Sequence, residues 1–552
     1  MKEVVDNYSK KARFNWKSGL TVGLVSIPLS LSLAIASGVS PVIGIIAAFW
    51  GGAIAALFGG SKYNIIGPTG ALSGLILSFV LSQGIESLPT LTLTVGVLIF
   101  LAWVFNFQKY LIYIPGAVIH GFTLGVAFII GLGQINNAFG LAPEHVHEQL
   151  ILNIFESLKV ISHFNIFSAV IFLLGILFLI GTKKRLKSIP GAIILTLVGI
   201  IIGYLSSVQL IPFEIPTLFT KFGALALTLI PNQLPHLVGI NTGLIQAASV
   251  IAFIAIIETL LSAKVANMMT KTKFNERKEI LALSLANIVS GPMGGLPVTA
   301  ALARTSLNIK SGGNSRASAF LSSMTILVIS VAFFGYFQYL PLPIVAAILV
   351  NVAINMVERD HFSFLFRHDR LSFAIALIVG IVTVVIDPII AVSAGSVIIL
   401  LRQVQRLSQG DYEVMVNHDK KLTNRIVGND LLKLERGGDP VVYSFNTDLT
   451  YLNREAHLKR LEHISENAKS IILRFRSVAY VDPDGMLLLE ELVELFERKR
   501  IPVYFSGVSE KVKSAFLKNP FFAKFNTEGL IFDKTSDALE KVYTDRKKKS
   551  VK

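Results

Sequence analysis

Two charged residues lie where a chain seldom tolerates charge. Glu258 is the only acid in an apolar span at 242–263, inside Ile254-Ala255-Ile256-Ile257-Glu258-Thr259-Leu260-Leu261-Ser262. A carboxylate kept from water can take up a proton or bind a sodium ion. Ser262, one helical turn further on the same face, offers another oxygen ligand. Glu258 and Ser262 are therefore candidates for a coupling-ion site, for Na+ or H+, with no other cofactor or metal implied. The structural alternative is an ion pair of Glu258 with Arg304 or Lys264 that only joins two elements. Arg304 follows a bland run from Gly294 to Ala303, and residues 294–308 contain no acid. Its guanidinium keeps its proton and suits a permanent anion attractor. Alternatively, a short element would let it snorkel to the cytoplasmic face.

Two interrupted apolar segments supply the rest of a candidate site: Gly67-Pro68-Thr69-Gly70 and Gly294-Gly295-Leu296-Pro297. A half-helix starting after Pro68 and another after Pro297 would each point an N-terminus at the bilayer centre. Free N–H groups and the helix dipole make such ends anion sites. Thr69 and Thr299 add hydroxyl donors, and Gly70, Ala71, Ala300 and Ala301 are small enough for close approach; simple packing is the competing reading of each. Other motifs carry less. His145-Val146-His147 has no third ligand nearby, Gly59-Gly60-Ser61-Lys62 lacks the spacing of a phosphate-binding loop, and Asp387-Pro388 reads as a turn. No nucleophile–base–acid set is present, so no enzyme activity is expected.

The elements that must position these residues are membrane spans. The chain has 552 residues, 52% hydrophobic and 16% charged, with mean hydropathy +0.62, against about 25% charged in soluble proteins. Cysteine is absent, which excludes disulfides, thiolate metal sites and a Cys nucleophile. The net charge of +15 arises from Lys and Arg in short loops beside apolar runs. That pattern fits membrane orientation, and no basic stripe with interleaved aromatics points to nucleic acid. Apolar spans are read near 18–37, 41–58, 90–106, 112–133, 164–181, 190–206, 242–263, 279–292, 318–338, 342–357, 371–386 and 388–404, with the two interrupted segments at 67–83 and 296–307. The first could pass for a signal peptide, but Pro28 interrupts it and the later spans need it retained for their orientation.

Counted together these give about 14 elements, and basic residues follow each even-numbered one, from Lys62 and Lys109 through Lys183 to Lys187, Lys271 to Lys278, Lys310 and Arg316, and Arg359 to Arg370, to Arg402 and Arg406. The reading is an integral multi-pass protein of the cytoplasmic (inner) membrane, both termini cytoplasmic. The interrupted elements stand third and tenth, which is third in each half of seven. Paired interruptions of this kind point to an inverted repeat with its site at the midplane. The expected domains are a cytoplasmic N-terminus (1–17), a transmembrane domain (18–404), a cytoplasmic α/β domain (411–545) and a basic tail (546–552). The α/β domain shows β-branched runs at 441–445 and 471–475 alternating with amphipathic helices near 453–467 and 485–499.

The residues also carry a resemblance. Ile27-Pro28 leads to Ala36-Ser37-Gly38-Val39-Ser40-Pro41, and Phe58-Gly59-Gly60-Ser61 leads to Gly67-Pro68-Thr69-Gly70. Then come Ile114-Pro115-Gly116-Ala117-Val118-Ile119-His120-Gly121-Phe122-Thr123 and Gly294-Gly295-Leu296-Pro297 through Arg304-Thr305-Ser306-Leu307-Asn308. In that order, over nearly the whole chain, they resemble the SulP family of anion transporters, and the tail looks like a STAS domain. The resemblance implies an all-α polytopic membrane domain, a 7+7 inverted repeat with two half-helices divided into core and gate, with a small STAS domain, usually as a homodimer. By position the family's anion site selects Thr69, Gly70, Thr299, Ala300, Ala301 and Arg304, with Leu29 and Leu33 from the first span, where some relatives carry polar or aromatic residues. Glu258 and Ser262 fall where the sodium-dependent bicarbonate branch has an acid and a hydroxyl; proton-coupled relatives also have a Glu there. In the tail, Asp482-Pro483-Asp484-Gly485 replaces a phosphorylatable loop, with Asp484 at the Ser position. Its carboxylate is either a phosphate mimic or part of a simple turn.

The expected function is secondary active transport of a small inorganic oxyanion, sulfate or bicarbonate, by alternating access. Its partners would be the anion, the lipid bilayer, a second copy of the chain and a cytoplasmic regulator of the STAS domain. Dicarboxylate transport, an uncoupled anion channel or exchanger, and a nucleobase permease are the alternatives.

Overall fold

The computed structural model describes residues 2–107, 109, 115–143, 145, 147, 150–185, 191–229, 238–386, 388–418, 421–426 and 440–550. Ile114, Val146, Lys187, Asp387 and the last two residues of the basic tail, 551–552, lie outside the described residues. The chain forms two units, residues 1–397 and 398–552.

In the first half of the membrane unit come α1 (Lys2–Ala36), α2 (Pro41–Phe58), β1 (Ile66–Gly67), α3 (Gly70–Gln83), α4 (Leu88–Val104) and α5 (Gly116–Leu132). They are followed by α6 (Ile135–Phe139), α7 (Leu150–Lys159), α8 (Ile166–Arg185), α9 (Gly191–Ser207) and α10 (Leu218–Phe222). The second half comprises α11 (Thr242–Thr270), α12 (Glu276–Ser290), β2 (Thr299–Ala300), α13 (Leu302–Lys310) and α14 (Arg316–Phe337). Then follow α15 (Leu342–Met356), α16 (Arg359–His368) and α17 (Arg370–Val385), and α18 (Pro388–Ser408) runs across the boundary between the two units. Each of the fourteen expected elements is present, the third as β1–α3 and the tenth as β2–α13. Among the described residues eight helices are long and apolar enough to cross a membrane.

The inverted repeat is visible in the packing. The first element of one half packs on the fourth of the other, α1 on α14 and α11 on α4. Likewise α2 lies on α14 as α12 lies on α4, and α5 on α17 as α15 on α8. Small residues permit the closest approaches: a Cβ on Gly19 of α1 would lie 2.5 Å from the Leu321 Cβ on α14. At the centre β1 and β2 pair antiparallel, Ile66 with Ala300 and Gly67 with Thr299. Extended backbone is tolerated at membrane depth only where protein satisfies its polar groups, and this pairing is one device that does so.

The second unit is a mixed sheet with helices on both faces. Its strands are β3 (Tyr412–His418), β4 (Lys421–Ile426), β5 (Val441–Phe445), β6 (Ile471–Arg474), β7 (Val503–Ser506) and β8 (Ile531–Phe532), in the order β4-β3-β5-β6-β7-β8. The run from β5 to β8 is parallel, and β3 is antiparallel to both its neighbours. The helices are α19 (Arg454–Ile464), α20 (Pro483–Arg498), α21 (Glu510–Lys518), α22 (Pro520–Thr527) and α23 (Thr535–Ser550). Alternation along β5 sends Tyr443 and Phe445 into the larger core with Phe475, Phe505 and Phe516, and Val442 into a smaller one with Ala538 and Val542 of α23. Asp482 caps α20, accepting from the Gly485 N–H at 2.7 Å, so the Asp-Pro-Asp-Gly segment is a helix start and not a free turn. Asp484 sits in that first turn, 3.6 Å from Arg454.

Candidate functional site

The backbone before each half-helix is held by side chains from other elements. Ahead of β1, the buried Glu279 of α12 accepts hydrogen bonds from the Gly60 and Ser61 N–H groups, at 2.7 and 2.6 Å, and from Asn64 Nδ2 at 2.8 Å. Asn308 of α13 donates to the Tyr63 carbonyl at 2.9 Å. Ahead of β2, Asn287 of α12 acts as a substitute strand, accepting from Val298 N–H at 2.9 Å and donating to Val298 C=O at 3.0 Å. Ser290 donates to the Leu296 carbonyl at 3.1 Å. Without these partners each orphaned buried group would cost about 1–3 kcal/mol.

The two half-helices then begin with little or no capping. Thr69 is the N-cap residue of α3, but it makes no side-chain cap. Its hydroxyl instead donates to Glu258 Oε2 at 3.0 Å. Ala301 is the N-cap residue of α13 and has no side-chain acceptor to offer. The first amides of both helices, at Gly70 to Leu72 and at Leu302 to Arg304, therefore lack a capping side chain and carry the positive end of the dipole.

The second half-helix starts later than the sequence indicates. A half-helix starting directly after Pro297 would include Thr299, Ala300 and Ala301. Instead Thr299 and Ala300 form β2, and α13 begins at Leu302. The reason is the strand partner supplied by Ile66 and Gly67, reinforced by α11: the Ala300 N–H donates to Thr259 Oγ1 at 3.2 Å and Thr299 Oγ1 donates to Ala255 C=O at 2.9 Å. The Ala301 N–H is used by Ile65 C=O at 3.0 Å. Arg304 thus lies in the first turn of α13, where a cation opposes the helix dipole by about 0.3–1 kcal/mol.

Arg304 is turned inward, 3% exposed, rather than to a surface. Its Nη2 donates to Pro68 C=O at 2.5 Å, and the guanidinium lies against Gly67, where a Cβ would stand 2.8 Å from Nη1. No nitrogen–oxygen contact within 4.0 Å joins Arg304 to Glu258. Glu258 and Ser262 share a face of α11, but their polar atoms have separate partners. Ser262 Oγ lies 3.0 Å from both Asn64 Oδ1 and Thr305 Oγ1, and Thr305 Oγ1 in turn accepts from the Ile65 N–H at 3.1 Å. Gly70 and Ala71 are buried in the first turn of α3. Leu33 is buried and Leu29 partly exposed on α1, which packs beside both α3 and α13. Thr69, Glu258 and Arg304 therefore cluster around the strand pair, whereas Ser262 belongs to a neighbouring network.

Asn64, Thr259, Glu279 and Asn287 were not singled out from sequence. Their only signal is polarity inside or beside apolar runs, which names no partner. A cavity of about 690 Å³ is walled by α3, α5 and α11, with Ser73 and Val250 among its lining residues; Thr69, Glu258 and Arg304 are not among them. Ser73 is one turn from Thr69 along α3, so the cavity ends close to the cluster. His147 lies 3.6 Å from Glu156, and neither it nor His145 belongs to a group of three metal-capable side chains among the described residues.

A 7+7 inverted repeat, two half-helices meeting at a paired strand, and a small α/β domain define a multi-pass membrane protein with an appended sheet domain. Residues 15–379 match the sulfate permease family and residues 432–538 the STAS domain, and the chain belongs to the sulfate permease family. It is 30% identical to "Putative sulfate transporter YvdB" of Bacillus subtilis over 93% of this chain and 94% of the relative. Identity to "Bicarbonate transporter BicA" of Picosynechococcus is 25%, over 92% and 90%. Among solved structures, the murine Slc26a9 anion transporter in the inward-facing state shares the fold with TM-score 0.80 at 16% identity, covering 96% of this chain and 91% of that one. The transmembrane domain of a cyanobacterial BicA gives 0.58 at 23% identity, covering 69% and 97%.

Proposed function

We propose that the protein is a secondary active transporter of a small inorganic oxyanion, sulfate or bicarbonate, driven by Na+ or H+ through Glu258. The observation that carries this reading is the Thr69–Glu258 hydrogen bond at the uncapped start of α3. An oxyanion held between the amides of Gly70 and Ala71 and those of Leu302 and Ala303 would supply the acceptors these N-termini lack. Arg304 adds charge there, while Thr299, Ala300 and Ala301 form the backbone floor and Leu29 and Leu33 the facing wall. A proton or Na+ arriving at Glu258 competes for the oxygen that Thr69 now occupies, so cation binding is felt at the anion end of α3 through one hydroxyl. Ser262 serves this site through Asn64 and Thr305, which steady the strand pair.

In this reading both termini face the cytoplasm across the inner membrane, the protein works as a homodimer, and the STAS domain takes a cytoplasmic regulator. The test is a panel of sulfate, bicarbonate, dicarboxylate and uracil in proteoliposomes with imposed Na+ or H+ gradients. Uptake of one inorganic oxyanion, stimulated by one gradient and unresponsive to it in Glu258→Gln, is expected. Equal uptake without any gradient, unchanged in Glu258→Gln, would establish an uncoupled pathway instead.

A further inference from the structure

Away from the candidate anion site, His120 of α5 meets the corner between α15 and α16. His120 Nδ1 lies 3.1 Å from Glu358 Oε2, and His361 Nδ1 lies 3.5 Å from the same oxygen. The two imidazole rings face each other at a tilt, their centroids 4.1 Å apart and their planes inclined by 34°. One ligating atom from each of the three residues falls within 4.8 Å of the others. Glu358 is the N-cap residue of α16 yet makes no side-chain cap there, because its carboxylate is turned to the histidines. Glu358 and His361 are three apart at a helix start, which puts them on one face, the Glu-x-x-His spacing used for metal ligation in helical proteins.

We propose that His120, Glu358 and His361 form a binding site for one divalent transition cation of the zinc type. Two imidazoles and one carboxylate are the ligand set such ions select, and three protein ligands with one open position is the usual open-site arrangement. The two nitrogen–oxygen edges have the dimensions this requires, and the third, between the histidines, lies within 4.8 Å. A tetrahedral ion with arms of about 2.0–2.1 Å requires its ligand atoms to be about 3.3–3.4 Å apart. The observed separations of 3.1 and 3.5 Å bracket that edge. The site also has an entry path and an inner anchor, since the His361 side chain is 58% exposed and that of His120 only 13%. Its ligands come from both halves of the repeat. Helix α16 buries no residue of its own, so the ion would fasten α16 to α5 where packing alone holds it weakly.

The test uses the full-length chain, freed of any affinity tag, stripped with EDTA and titrated with Co2+ in detergent. One Co2+ per chain should bind with the intense visible absorption of a tetrahedral site, be displaced by Zn2+, and slow amide hydrogen exchange in α16. His120→Asn and His361→Asn should each weaken binding about a hundredfold or more, while a His145→Asn/His147→Asn double variant should bind as the parent does. Glu358→Gln, which keeps the shape of the side chain, gives a second reading if either histidine variant is poorly folded by size-exclusion chromatography. Absence of saturable Co2+ binding, a band that survives His120→Asn or Glu358→Gln, or a band lost with His145 and His147 would overturn the assignment.

Discussion

Adding a single methyl group at Gly67 tests the centre of the site. In Gly67→Ala the new Cβ would lie 2.8 Å from Arg304 Nη1, 3.3 Å from Nη2 and 3.4 Å from Cζ. Ordinary contact begins near 3.4 Å, so the guanidinium must slide by about half an ångström or more. Its 2.5 Å bond to Pro68 C=O cannot survive that displacement unchanged. A hydrogen bond from a charged donor is worth about 1.5–3 kcal/mol, and overpacking in a close-packed interior costs about 1–3 kcal/mol. The expected result is a fall of roughly 2–6 °C in Tm of the detergent-solubilised protein, with loss of most anion uptake in proteoliposomes. Arg304→Ala removes the obstructing group, so the double variant Gly67→Ala/Arg304→Ala should be no less stable than Arg304→Ala alone. The double-mutant cycle should return a coupling of about 1–3 kcal/mol. Additive effects of the two changes, or a Gly67→Ala protein with parental Tm and uptake, would refute the placement of Arg304 beneath the strand pair.

Other consequences follow from the same contacts. Arg304→Lys keeps the charge but loses the planar fork that bonds Pro68 and covers Gly67; anion uptake in proteoliposomes should fall well below parental, and parental uptake would mean that charge alone suffices. Asn287→Ala strips both polar groups of Val298 of their partner, and should cost roughly 2–4 kcal/mol by the price of two unsatisfied buried groups, read as a lower Tm and faster hydrogen exchange at 296–301. In the STAS domain, burial chiefly, with Arg460 adding to it, lowers the His457 pKa from 6.5 to about 3, while the Tyr443 hydroxyl lies 2.7 Å from His457 Nδ1. The unfolded histidine binds a proton that the folded one refuses, so the stabilising contribution is complete above pH 6.5 and is lost as pH falls toward 3, by up to about 1.4 kcal/mol per pH unit. Protection factors of the β5 amides in the full chain, taken relative to the intrinsic exchange rate at each pH, should fall as pH drops across that window, and His457→Gln should flatten the dependence.

Much of this architecture is legible in the sequence because its causes are local. Hydropathy marks fourteen elements, and proline and glycine mark the third and tenth as broken, since neither residue continues a buried helix without cost. The tail's alternating runs become β5 and β6, and its amphipathic stretches become α19 and α20, for the same reason. Glu258 and Arg304 announce themselves by charge in apolar surroundings.

Where those groups point was settled only by the fold. Thr299 and Ala300 became a strand, delaying α13 to Leu302, because Ile66 and Gly67 from the other half of the chain offered their backbone groups a partner. Arg304 turned to the Pro68 carbonyl, and not to Glu258 within ion-pairing distance, because the missing Cβ of Gly67 leaves room for a guanidinium there. Glu258 found Thr69, while Ser262, its neighbour by one turn, found Asn64 and Thr305. Composition and spacing fix which residues are costly to bury; only the packing of α3, α11, α12 and α13 around one strand pair fixes the partner that makes each burial tolerable.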